Sequence, residues 1–380
     1  MGNRKDAKQN GAAVPRNGTV HPVLQAHSES SEINHTDNGE EIHKIYTRIK
    51  QLPSFRDLNK QVQAVVERSS WWERYGWEWV AIVVCASLVP VGFWLLARES
   101  YPVIMAGMFL MGCIHANFSN KASHLATHGA LANSGRWNHF WSRVFLTFIG
   151  AFSTEMGYDI HIRIHHPHTN IIGLGDSSTW KVPFLPRYIY MFVAPLVVPA
   201  ITPLVTIHHL VGNKMFKELF LGYLPLSFAG LYGNVWVLVH YCGYAWPTAI
   251  FVMFASRAAL AIPYIHVNIF QHIGLPMYSQ EHRPQRIYQM STGVLNLDRN
   301  FILDYAFGHA IISCHVEHHL FPKLSDNMCL KVKPIVSKFL LEHGQPYQED
   351  TYWNRLVIFL TKYKELMQNA PPITHFVGIQ

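Results

Sequence analysis

HVEHHLFP, residues 315–322, puts three histidines and a glutamate on five consecutive positions and runs straight into an apolar Leu-Phe-Pro. Residues three or four apart on a helix share a face, so His315, His318 and His319 can turn several imidazole nitrogens toward one place. Alone, such a cluster is a weak sign of metal. The chain repeats it, however. SHLATHG sets His124 and His128 four apart, HIRIHHPH carries His161, His165, His166 and His168, and HVNIFQH holds His266, Asn268 and His272. Adjacent helical residues point about 100° apart, so His165/His166 and His318/His319 suit two neighbouring ions, or one ion and the surroundings of the next. Nine candidate histidine ligands exceed what one ion takes and point to two ions in one site. Imidazole suits iron, zinc, nickel or copper. The spaced motifs contain no cysteine, which argues against structural zinc, and no HExxH of a metal hydrolase. Metal-bound imidazoles usually pass their second N–H to a carboxylate or carbonyl, and Glu155, Asp159, Asp176 and Glu317 are the sequence candidates for that role.

The composition names lipid as the solvent for much of the chain. Of 380 residues, 49% are apolar and 14% charged, where a soluble domain carries roughly a quarter charged. The net charge of +7 is scattered over loops and tails with no basic–aromatic stripe, which argues against nucleic acid. Five cysteines, odd in number and never CxxC, read as reduced packing residues. No apolar run comes before residue 79, so no cleavable signal peptide is expected, and Asp6 stands where a myristoylation signal needs Ser or Thr.

Residues 1–40 are polar and read as a disordered tail, in which the Asn17 and Asn34 glycosylation sequons would go unused. Residues 41–74 form an amphipathic juxtamembrane region broken at Pro53, and Trp71, Trp72, Tyr75, Trp77 and Trp79 make an interfacial belt. Residues 75–340 carry the membrane domain, and 341–380 a C-terminal cytosolic helical tail. Runs 79–97, 101–117, 219–241 and 246–265 are long enough to span, whereas 141–152 is too short. A further run, 188–206, holds Pro195, Pro199 and Pro203 between basic flanks at Lys181, Arg187, Lys214 and Lys217, which suits a re-entrant or surface helix with both ends cytosolic. Parity agrees, because histidines sharing a site must lie on one side, and an even number of crossings must separate His166 from His272. The expected fold is an all-α integral membrane protein: four transmembrane helices in two hairpins, with a cytosolic helical cap holding a histidine-rich dimetal site and both termini cytosolic. Leu320, Phe321 and Pro322 are expected to return the chain to the membrane surface.

The combination of His124-xxx-His128, His161-xxx-His165-His166 and His315-xx-His318-His319 with LFP following resembles the tripartite histidine box of the membrane fatty acid desaturases, and Asn268-xxx-His272 is similar to that family's additional ligand segment. The resemblance covers residues 75–340. It implies that His124, His128, His161, His165, His166, His272, His315, His318 and His319 bind two iron ions, with Asn268 holding a water on one of them. It also implies a reaction using O2 and two electrons to remove two hydrogens from an unactivated acyl chain, on a fatty acyl-CoA or membrane lipid. The electrons would come from cytochrome b5 and its reductase at the endoplasmic reticulum membrane. Family members with front-end regiochemistry carry a fused haem domain with HPGG and a glutamine opening the last box. Here His315 opens it and HPGG is absent, so a separate donor is implied.

Relatives with the same boxes hydroxylate or act on sphingoid chains, so a fatty acyl or sphingolipid hydroxylase stays open. A non-redox membrane metal-binding protein or transporter is the reading from another class; it would place its ligands mid-span, whereas most of these lie just outside the apolar runs. An oxidant able to attack a methylene must be shielded from water and held against one carbon. Met108, Phe109, Met111, Phe145, Phe148, Phe152 and Phe254 are expected near that path, with plain core or bilayer packing as the alternative. His168, His266 and His309 lie near the boxes but outside the pattern, and His208/His209 read as a pair at the membrane surface.

Overall fold

The structure, a computed structural model, describes residues 52–174, 184–281 and 283–368. The 1–40 tail and Asp176 fall outside the described residues. In chain order the helices used below are α1 (Phe55–Arg68), α2 (Trp72–Leu96), α3 (Tyr101–Thr127), α4 (135–149), α5 (154–168), α6 (Ile189–Gly212), α7 (Glu218–His240), α8 (Trp246–Phe270), α9 (Arg286–Gly293), α10 (Phe301–Phe307), α11 (His315–Leu320), α12 (Asp326–Glu342) and α13 (Tyr352–Thr361). Among the described residues, one parallel pair of two-residue strands, Asn296–Leu297 with Glu349–Asp350, and an isolated bridge between Ile171 and Tyr278 stand beside the helices.

Five helices, α2, α3, α6, α7 and α8, run 23 to 27 residues and are apolar enough to cross a membrane. A bilayer core needs about 20 helical residues. The sequence reading counted four; the fifth is α6, a continuous helix through Pro199 and Pro203. Val83, Met105, Leu204 and Phe251 on these helices are exposed, a pattern that lipid accommodates and water does not. Trp71, Trp72 and Trp77 stand exposed at the head of α2, where a belt belongs. The second apolar run extends beyond the expected 117: a π-helical stretch, Asn117–Ala122, carries α3 on to Thr127 and takes His124 with it.

One device ties membrane helices to the rest, and a second packs helices outside the membrane against one another. Lys121 of α3 lies 3.3 Å from Glu78 of α2 and 3.4 Å from Asp326 of α12, all three buried. Asn327 donates its backbone N–H to Glu78 at 2.9 Å. The second device is an apolar core in which Leu58 and Val62 of α1 meet Ile287, Met290, Val316, Leu320, Phe321, Val332 and Val336. Leu58 and Val62 are fully buried, each stabilising the packing by about 1.5–3 kcal/mol. The Phe55 and Phe321 rings stack at 5.5 Å. Leu320 and Phe321 are therefore buried in this core against α1, and do not form the membrane-surface return that the sequence suggested.

Candidate metal centre

All eight box histidines converge, and His272 joins them. His124, His128, His161, His166 and His318 form one group, and His165, His272, His315 and His319 form a second, each with its candidate ligand atoms within 4.8 Å of one another. Adjacent histidines divide between the groups, and the rings of His166 and His319 stand 4.4 Å apart where the groups meet. Within α11 the i,i+4 pair His315/His319 shares one group, with Nε2 atoms 3.2 Å apart, while His318 faces the other.

The second box departs from helical expectation. His161 does not share a group with His165, four residues on; it meets His166, five residues on, with Nε2 atoms 3.2 Å apart. Tyr158–His165 is π-helical, and the i→i+5 winding of a π-helix brings residues five apart into register.

The nitrogen spacings test whether these residues fit a metal. Nε2 atoms of His124 and His161 are 3.0 Å apart, those of His166 and His318 3.1 Å, and those of His272 and His315 2.9 Å. Two ligands at right angles about an ion, each at about 2.1 Å, stand about 3.0 Å apart. Burial, with the charges of neighbouring histidines adding to it, holds His128, His165, His166, His318 and His319 well below the ordinary imidazole range; it lowers His161 to about 3 and His315 to about 4. Neutral imidazoles with lone pairs converging at these distances repel one another unless a cation sits between them. The set fits two metal ions.

In the four-histidine group the outer nitrogens of His272, His315 and His319 fix their tautomers, while His165 Nδ1 is buried without a partner among the described residues. His315 Nδ1–H donates to Ala310 O at 2.9 Å, and His272 Nδ1–H to Gly293 O at 3.3 Å. The Thr169 hydroxyl donates to His165 O at 2.7 Å, so at 3.2 Å its oxygen accepts from His319 Nδ1–H. Each bond leaves Nε2 as a lone pair aimed into the group. These partners are carbonyls and a hydroxyl, where the sequence reading looked to carboxylates. Asp159 pairs with Arg163, Glu155 lies 3.8 Å from Arg143, and buried Glu317 accepts from Tyr347 Oη at 2.7 Å and Asn296 Nδ2 at 3.1 Å. Burial pushes the Glu317 carboxyl up to about 7 against those two hydrogen bonds. Facing away from the imidazoles, it anchors α11 from behind.

Asn268 donates Nδ2–H to Tyr264 O at 2.7 Å and lines a cavity together with His124, His161, His165, His272 and His315. Leu146, Phe152, Val198, Pro199 and Leu260 form apolar walls of that cavity. Of the seven residues expected along such a path, only Phe152 lines it. Met108, Met111 and Phe254 pack between membrane helices, Phe145 stacks on Phe118, and Phe109 and Phe148 are exposed. Of the remaining histidines, His266 bridges Met191 O and the Tyr352 hydroxyl, His168 meets Arg283, and His309 pairs with Asp304.

Two residues outside the boxes hold the site together. Asn170, buried at φ 55°, donates Nδ2–H to Gly293 O at 3.1 Å, Pro276 O at 3.2 Å and His272 O at 3.4 Å. Arg355 of α13, 4% exposed, donates to the carbonyls of Phe270 and Ile273, bracketing His272. Asn is the side chain that best tolerates a left-handed backbone, but nothing in the sequence around Asn170 or Arg355 announces these contacts.

The helices and the two imidazole groups define a membrane protein with histidine clusters able to hold metal ions beside an apolar-walled cavity. The chain belongs to the fatty acid desaturase family, whose pattern matches residues 99–351. It is 50% identical over 325 residues to fatty acid desaturase 6 of Homo sapiens, covering 85% of this chain and 91% of that protein. It is also 50% identical to the Mus musculus protein of that name, over 86% and 95% of the two chains. Fatty acid desaturase 3 of Bos taurus is 22% identical over 64% of this chain and 57% of its own length.

Proposed function

We propose that the protein is an O2-dependent desaturase that introduces a carbon–carbon double bond into a fatty acyl chain. The observation that carries this reading is the pair of contiguous imidazole groups opening on an apolar-walled cavity. The nine histidines would hold two iron ions, with Asn268 orienting a water at the four-histidine group. Bound iron would supply the oxidising power: with O2, two electrons and two protons, a –CH2–CH2– unit becomes –CH=CH– and two waters form. The protein's share is to hold that unit against the imidazole groups and keep bulk water from it, through Leu146, Phe152, Val198 and Leu260. Cytochrome b5 and its reductase would deliver the electrons, since the chain carries no haem signature of its own.

The same reading places the protein in the endoplasmic reticulum membrane with the site and both termini cytosolic. His165 and His272 share a group, so an even number of crossings separates them, although α6, α7 and α8 all intervene. Four spans in two hairpins satisfy this if α6, with its prolines and basic flanks, dips into the membrane without crossing. Its Val198, Pro199 and Thr202 line the cavity, a role that such a helix can perform.

Lipid profiling of cells expressing the chain, beside a variant with His318 and His319 both changed to alanine, tests the function. A fatty product two hydrogens lighter, seen only with the intact chain, is the expected result. A product one oxygen heavier would replace desaturation by hydroxylation, and no difference between the two cell lines would overturn the oxidative reading.

A further inference from the structure

Most charged groups deep in the five long helices have partners. Glu78 and Lys121 pair with each other, and Glu218 accepts from Arg143 at 2.8 Å. Arg257 differs. It is the only Asp, Glu, Lys or Arg of the Trp246–Phe270 helix, eleven residues from its start and thirteen from its end. It is 8% exposed, and among the described residues no carboxylate or hydrogen-bond acceptor meets its guanidinium. The Phe254 ring lies 6.0 Å from Cζ, at the limit of a cation–π contact.

Arg257 lines the same cavity as the box histidines. A close helix crossing puts it there: a Cβ on Gly112 of α3 would stand 2.5 Å from Ser256 O. His115, just past that crossing, lines the cavity beside Arg257. Along α8, Arg257 precedes Asn268 by eleven residues, at most ~16 Å at 1.5 Å per residue. The cavity lining thus combines imidazoles, apolar side chains and a buried cation that has no carboxylate partner among the described residues. A cation at mid-membrane depth with no partner among the described residues is costly enough to imply a bound group of opposite charge.

We propose that Arg257 binds the carboxylate of a fatty chain that enters the cavity with its acid end remote from the metal-site histidines. This rests on the reading of the cavity as an acyl-chain site and names what the chain carries. A guanidinium forks onto a carboxylate with two parallel hydrogen bonds and matches its single charge. A phosphate monoester would bring nearly two charges to one cation. The carboxylate belongs either to an unesterified fatty acid or to the far end of a chain linked to a carrier at its other end.

Binding of radiolabelled palmitate to the full-length purified protein, competed by methyl palmitate, palmitoyl-CoA and hexadecanedioic acid monomethyl ester, tests this without relying on turnover. Palmitate is expected to bind at least about tenfold more tightly than methyl palmitate. Arg257→Met removes that difference while leaving methyl palmitate binding unchanged, and Arg257→Lys keeps part of it. If direct titration shows the diacid monomethyl ester binding and palmitate not, the carboxylate is that of a carrier-linked chain; if palmitate binds as well, the free acid suffices. Equal binding of acid and ester by the unaltered protein overturns the proposal, as does an Arg257→Met variant that loses both alike or changes only thermal stability. Palmitoyl-CoA binding without palmitate binding overturns it while the desaturase reading stands. Binding of none of these chains removes the acyl-site reading itself.

Discussion

The two imidazole groups divide nine histidines between them but are held differently. In the four-histidine group, His272, His315 and His319 each give an outer N–H to a carbonyl or hydroxyl fixed by the backbone. In the five-histidine group, no outer ring nitrogen has such a partner among the described residues, and the Nδ1 atoms of His166 and His318 are buried without one. Ring packing positions that group instead: His128 sits 4.5 Å from His124 and His166 and 4.4 Å from His318, centroid to centroid. In one group the fold sets three of four tautomers, His165 Nδ1 being buried without a partner among the described residues; the other group leaves all of its tautomers to whatever ion the imidazoles meet.

The largest expected effect treats both groups alike. Changing His318 and His319 to alanine takes one ligand from each, and metal per chain by elemental analysis should fall toward zero with product formation at background. A purified double variant retaining two metals would remove the site from α11. Asn170→Ala should separate the groups, since it frees Gly293 O and His272 O. Loss of such outer contacts typically costs 10–100-fold in metal affinity, and titration with metal should show that loss in one of two sites. Equal weakening of both would end the distinction drawn here. Thr169→Val removes the hydroxyl that joins His319 Nδ1 to His165 O and should cost about tenfold, again in one site, because both histidines belong to the same group. Smallest is Tyr347→Phe, which removes one hydrogen bond to Glu317 and should lower unfolding stability by about 1 kcal/mol. Glu317 lies between His315 and His318, so thermal unfolding should shift while the ratio of the two metal affinities does not.

The boxes were legible because their information is local: an imidazole every third or fourth residue on a polar-flanked helix needs no distant partner to be noticed. The parity of apolar runs was legible for the same reason. What escaped depends on backbone winding or on contacts far along the chain. The π-helical turn at Tyr158–His165 moves His161 from His165 to His166, and residue spacing carries no mark of it. Lipid-facing and cavity-facing apolar residues obey one hydropathy, so Phe109 and Phe148 looked as suitable as Phe152. Carboxylates were expected behind the imidazoles because they stand out in sequence, whereas Ala310 O and Gly293 O belong to residues of no chemical distinction. Pro195, Pro199 and Pro203 argued that the run at 188–206 was weak; α6 is nonetheless a full helix that lines the cavity.

The stacking of Phe55 on Phe321, and of α1 against α12, joins segments more than 250 residues apart in sequence. It also dates the site. His128 leaves the ribosome 187 residues ahead of His315, which at ordinary synthesis rates is on the order of ten seconds or more. As it passes, the first two boxes come to lie beside the membrane, holding five imidazoles that lack their remaining ligands. The nascent chain must keep those nitrogens from capturing stray ions or partner chains until its last hundred residues close over them.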